Sequence, residues 1–188
     1  LQTWRSVGWE ALPAYRVDLQ GRNEQPMNFQ WAGSLTTLRD ELLGKGWHEP
    51  TSLTPLSAIN LLAPDPEIAK LPILPQVNDG QHQSLLLIGP YAAGTKQLVV
   101  LRLWPSNREL QENNTPVWIG NVVHLYREQE LPLITYLRTA SSYDMPLRQL
   151  QATLMHSNHI ATTERTRPAS QGQPGMHEVV MLAWEKRL

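Results

Sequence analysis

The chain has 188 residues, 18% of them charged, with a net charge of −1 and no cysteine. That length suits one domain over residues 1–188, and the charge lacks the basic excess that would make nucleic acid an expected partner. Without cysteine there is no disulfide framework, thiolate metal ligand or thiol nucleophile, and no apolar run approaches the roughly 18–20 residues that cross a bilayer as a helix, so the sequence reads as soluble.

The chain opens on "LQTWRSVGWEALPAYRVDLQGR", with Trp4 and Trp9 ahead of an alternating stretch at Tyr15, Val17 and Leu19. Lacking an initiator Met, it reads as cut from a longer protein, with residues 1–11 as the junction. Seven Trp against one Phe is a lopsided aromatic usage. Indoles favour half-buried positions and membrane headgroup regions, and Trp4 and Trp9 are the expected membrane-facing pair.

A short strand is expected from Asn28 to Trp31. Ser34 then caps a helix with Leu35, Leu38 and Leu42 on its apolar face, and Gly44 and Gly46 stop it. Thr54 and Pro55 signal a second helix through "LSAINLLA". The four prolines of "APDPEIAKLPILPQ" predict an extended surface run. "NDG" marks a turn, and strands follow in "SLLLIG", "QLVVLRLW" and "PVWIGNVVHLY", the last bulky on both faces and expected at the sheet centre.

"LPLITYLRTA" reads as another strand and "MPLRQLQATLM" as a third helix with Leu147, Leu150 and Leu154 on one face. "HIATTERTR" and "MHEVVMLAWEKRL" flank the polar tip "PASQGQPG" as a closing hairpin. Hairpin-joined strands without a βαβ rhythm predict an α+β fold, a mostly antiparallel sheet with about three helices packed on one face.

The strand, glycine and helix around Gly33 have the layout of a phosphate loop. A phosphate cradle needs several glycines and commonly a lysine; this joint has one glycine and no lysine, so it reads as a capped entry turn. His156 and His159 lack a carboxylate partner, while His48, His82, His124 and His177 are isolated. No G-x-S-x-G occurs, Ser141 or Asp144 reads as a helix cap, and Asp65, Glu67, Glu109 and Glu112 as solvated. Arg102 and Trp104 share strand parity and project from one face, where Arg102 either lines an anion site or stacks on an aromatic ring.

"LPAYRVDLQGRNEQPMNFQWAGSLTTLRDELLGKGW", with "LPILPQVNDG", "VLRLWPSN" and "PVWIGNV" after it, resembles the LssY C-terminal domain, a bacterial module named after a proposed type I secretion component. The shared order is an x-P-[LM]-N stretch leading to a Gly, a helix ending in G-W, an R-x-W strand and a P-[LV]-W-[IV]-G strand, over residues 12 to 125. Such domains are attached to membrane proteins, after one transmembrane helix or behind DedA-like and type-2 phosphatidic acid phosphatase-like domains. The His-His-x-Asp-Pro-Asp segment of many relatives is missing here, so no metal or acid–base role carries over from it.

The resemblance implies a soluble accessory or interaction domain of a bacterial envelope protein, on the periplasmic side of the inner membrane. Its expected partners are the parent chain's membrane region and lipid headgroups, with no cofactor and no metal. The alternative is a cryptic hydrolase or a small-ligand or headgroup binder using Arg102, with His124 as a possible second group. Candidate binding residues at family motif positions are Asn28, Trp31, Arg102, Trp104 and Trp118.

Overall fold

A computed structural model describes residues 1–51, 66–131, 134–168 and 177–186 of the chain. The expected helix after Thr54-Pro55 and the polar tip of the closing hairpin lie outside the described residues. Helix α1 (Gln2–Ser6) leads through a 3-10 turn, Gly8–Ala11, into strands β1 (Tyr15–Val17), β2 (Asn23–Pro26) and β3 (Phe29–Ala32) and then helix α2 (Leu35–Leu43). After a second 3-10 turn, Ile68–Lys70, come β4 (Val77–Asn78), β5 (Gln81–His82), β6 (Leu85–Ile88), β7 (Gln97–Leu110), β8 (Thr115–Leu131) and β9 (Ile134–Thr139). Helix α3 (Asp144–Leu154) and the hairpin of β10 (Ile160–Pro168) and β11 (His177–Glu185) complete the described elements.

The fold is α+β, built on one seven-stranded sheet of order β10-β11-β3-β8-β7-β6, with β9 pairing the far half of β8. The long β8 is central, as its bulk on both faces predicts: β7 runs along one side while β3 and then β9 share the other. The sheet is mixed. β11 inserts between β3 and β10 and runs parallel to β3; the other ladders are antiparallel.

The expectation of helices on a single face is corrected. α2 and α3 bury Leu38, Leu42, Leu147, Leu150 and Leu154 against Phe29, Trp31, Leu101, Val122 and Met181 on one face. α1 and the 3-10 turn lie on the opposite face, where Trp4, Trp9 and Leu12 pack on Trp104, Ile119 and Leu182. The reason lies in the alternation of β7, β8 and β11, whose two residue sets are both apolar and both need covering. The same alternation sends Arg102 and Trp104 to the second face and Leu101 and Leu103 to the first.

Strand β7 continues through Pro105 to Leu110, past the end of "QLVVLRLW". Pro105 is tolerated because it sits at a bulge, where the β7–β8 register shifts between Pro105 and Arg108 and Asn107 adopts φ 56°. Among the described residues no helix is long and apolar enough to cross a membrane.

Candidate functional site

The backbone groups of Gly33 and Ser34 are engaged by the chain's own groups. Ser34 caps α2 by accepting from Thr36 N at 3.1 Å, and Ser34 N donates to Glu185 Oε1 at 2.7 Å, so that N–H is not free for an anion. Gly33 N donates to Pro116 O, while its carbonyl accepts from Trp118 Nε1 at 3.0 Å. Trp31, fully buried, donates its indole N–H to Ser34 O and crowds Gly33 from below; a Cβ there would lie 2.6 Å from its ring, at φ +156°. Trp31 and Trp118 are cross-strand partners that fix the turn.

Asn28 is also structural. The chain diverges from β8 just before Phe29, and the Asn28 amide replaces the lost backbone pairing: Val122 N donates to its Oδ1 at 2.8 Å and its Nδ2 donates to Val122 O at 3.0 Å. Its own carbonyl accepts from Met181 N, joining β3 to β11.

Arg102 differs. It is 2% exposed, and its Nε and Nη1 have no hydrogen-bond partner. Directly opposite it on β8 is Asn121, fully buried, with both amide atoms unpaired. Two residues along β7 on the same face, the buried Trp104 leaves its Nε1 unpaired as well. These three side chains interrupt an otherwise apolar face, between a cluster around Trp4, Trp104 and Ile119 and another around Ile88, Val100 and Val123. Burial, with the positive charge of nearby Arg16, lowers the Arg102 pKa to about 10, so the guanidinium remains protonated at neutral pH.

Arg16 lies on β1, in the first of two small hairpins outside the main sheet. Its Nε donates to Gln25 Oε1 and its Nη1 to Val77 O, both at 2.8 Å, while Val17 N donates to Asn78 Oδ1. These bonds tie β1 and β2 to β4. Tyr15 OH adds a contact to Glu178 on β11, tying β1 back to the main sheet.

Chemically this arrangement stabilises negative charge. Arg102, Trp104 and Arg16 donate only, Asn121 donates and accepts, and none of the four is a nucleophile or a proton-transfer group at neutral pH. His124 does not join them. Its strand parity places it on the helix-covered face, opposite to Asn121, and burial lowers its pKa.

Ring stacking does not account for Arg102 either. The cation–π contacts among the described residues are Arg5 over Trp184 at 4.6 Å and Arg167 over Trp9 at 5.2 Å. Those contacts help bury the N-terminal segment, and Trp4 donates to Gln30 Oε1 at 3.1 Å, so the expected membrane-facing pair Trp4 and Trp9 are core residues. Two surface pockets, of about 490 and 570 Å³, lie elsewhere, the larger beside Trp118 and Arg108. Among the described residues there is no group of three or more acidic, histidine or cysteine side chains able to hold a metal.

Residues 9–177 match the family described as LssY C-terminus. The chain belongs to the LssY C-terminus family. No curated protein and no solved structure matches it. The match extends beyond the resemblance at 12–125 and takes in β9, α3 and β10.

Most LssY C-terminus motif positions have a structural reason in this chain. Asn28 substitutes for a ladder, Gly33 and Trp118 build the joint, and Trp47 is buried with its indole N–H on Thr153 Oγ1. Gly120 sits where a Cβ would come 2.1 Å from the carbonyl oxygen of Arg102. The R-x-W pair is the exception, since Arg102 and Trp104 both carry buried donors with nothing to donate to.

Sequence reasoning singled out Arg102 and Trp104 but missed Asn121 and Arg16. One signal for Asn121 was present. It is the polar residue in the set Val117, Ile119, Asn121, Val123 and Leu125, otherwise the apolar side of a strand. Arg16, on a short strand of a separate hairpin, had no local signal.

Proposed function

We propose that this chain is a ligand-binding accessory domain of a membrane-anchored bacterial envelope protein, and that its ligand is a small anion held at Arg102, Trp104 and Asn121. The observation that carries this reading is Arg102: buried, protonated at neutral pH, and without a hydrogen-bond partner for Nε or Nη1. A buried charge is retained at a cost of several kcal/mol unless it is paired, and an anion supplies the pairing. Absence of a nucleophile or proton-transfer group among the four side chains favours binding over hydrolysis.

Family membership supports the wider context, a domain attached to a phosphatidic acid phosphatase-like or DedA-like membrane region on the periplasmic side. In that setting the anion is a small solute or a headgroup handled by the parent membrane domain. The exposed large apolar residues Val7, Leu19 and Leu74 lie in three different connections and Met145 and Met155 at opposite ends of α3, which favours a ligand over a broad greasy docking face.

Calorimetric titration of the chain with phosphate, acetate and chloride tests the reading. At least one anion binds the wild-type chain in the expected outcome, and Arg102→Met abolishes that binding. Heat-silent titrations with unchanged melting temperatures for all three would sink it.

A further inference from the structure

The unpaired groups at this site specify more than negative charge. Arg102 Nε and Nη1, Trp104 Nε1 and Asn121 Nδ2 are donors, whereas Asn121 Oδ1 is an acceptor, and all are buried and unpaired. Exchanging the amide's oxygen and nitrogen leaves the inventory unchanged, because both atoms lack partners. A ligand that satisfies every group must therefore accept several hydrogen bonds and also donate one. Chloride, sulfate and a deprotonated carboxylate cannot donate.

Resting on the anion-binding reading, we propose that the site selects a protonated oxoanion, of the hydrogen phosphate type, and that Asn121 is the residue that sets this specificity. The Arg102 and Trp104 donors hold the anionic oxygens and Asn121 Oδ1 accepts the ligand's own O–H. A sulfate of the same shape would leave that buried acceptor facing a lone pair, and sites built to hydrogen-bond a ligand hydroxyl reject analogues that lack it. Arg16 adds positive charge behind the site through its effect on Arg102. Its own guanidinium is already engaged with Gln25 and Val77 and lies 3.8 Å from the Glu24 carboxylate, which offsets part of its field, so it makes no contact with the ligand.

Enclosure fits this chemistry. Arg102 and Asn121 are at most 2% exposed, so a bound ion is stripped of water and must find all its hydrogen bonds in the protein.

The test compares phosphate with sulfate at pH 7 and matched ionic strength, by thermal melts of the whole chain, with Arg102→Met as the control for general salt effects on stability. The expected result is an apparent Kd for phosphate at least about tenfold below that for sulfate. Asn121→Leu then brings the two within about threefold by weakening phosphate, as loss of the acceptor removes the basis of discrimination. Equal binding of the two ions by the wild-type chain overturns the specificity and leaves the anion reading standing; binding of neither overturns the specificity, and the anion reading falls with it if acetate and chloride are silent as well. If Asn121→Leu does not fold, the wild-type ratio alone decides. Vesicles containing phosphatidic acid, whose headgroup is a protonated phosphomonoester, distinguish the source: they compete with free phosphate if the headgroup is the ligand and leave its binding unchanged if the free ion is.

Discussion

Replacing Arg102 by methionine isolates the energetic argument from any ligand. Folding lowers the pKa of Arg102 to about 10, mainly through burial. At 1.36 kcal/mol per unit this corresponds to about 3 kcal/mol of destabilisation carried by the charged form. Methionine fills a similar unbranched path without the charge. In a buffer of weakly coordinating ions, Arg102→Met is therefore expected to be more stable than wild type by about 1–3 kcal/mol, in line with other buried ions replaced by apolar residues. For a chain of this size that is a rise in Tm of roughly 3–10 °C.

Its pH dependence follows from the sign of the shift. Between the folded and unfolded pKa values the unfolded chain binds the extra proton, so stability rises with pH there. The penalty is fully present below pH 10 and is relieved above it. The gap between variant and wild type should thus be level from pH 6 to 9 and narrow at higher pH. Urea unfolding followed by Trp fluorescence, with and without phosphate, reads all of this. A ligand at about 100 Kd returns about 2.7 kcal/mol to the wild-type chain alone and largely closes the gap. A variant less stable than wild type by more than about 1 kcal/mol in ligand-free buffer would show that Arg102 is compensated and refute the reasoning.

Gly120→Ala should be the most damaging single change, costing at least about 3 kcal/mol by equilibrium unfolding, because the new Cβ meets the Arg102 carbonyl at 2.1 Å and must force β7 from β8. Asn28→Leu should cost about 2–4 kcal/mol, since Val122 loses the partners of both its N–H and its C=O in a buried ladder, while phosphate affinity stays within about twofold of wild type. Trp4→Ala should cost about 3–5 kcal/mol in the same assay and leave vesicle binding unaltered, because Trp4 is 7% exposed and donates to Gln30.

The parts of the fold that could be read from the sequence depend on local periodicity. The leucines of α2 and α3 repeat at helical spacing, and the three runs around Leu87, Leu101 and Ile119 are apolar and bounded by turn residues, so their type follows directly, whereas the covering of both sheet faces did not. Non-local placement could not be read. Trp4 and Trp9 have the composition of a membrane rim, and only pairing with Gln30 and packing on Trp104 make them core. Parity correctly put Arg102 and Trp104 on one face, yet Asn121 joins them only through the β7–β8 register, which a single strand does not encode. Parity alone also excludes His124 as a partner of Arg102 once Asn121 is known to face it.

This separation of packing from chemistry sharpens what the family motifs mean. Asn28, Gly33, Trp118 and Gly120 each satisfy or protect a backbone group at the junction of β3, β7 and β8, so their loss harms folding first. That junction holds rigid the stretch of β8 that begins at Asn121, one residue beyond Gly120. The absence of a Cβ at Gly120 lets β8 lie close to the Arg102 backbone, which brings the side chains of Arg102 and Asn121 to the same buried level on the far face. The glycine strand and the R-x-W strand thus act as one device. One supplies the close approach of two backbones, and the other uses it to hold a charged group and an amide together away from water. A purely structural origin would predict an apolar residue in place of Arg102, because the surrounding face is apolar and the charge weakens the fold. An anion bound at Arg102, as proposed above, would offset that cost.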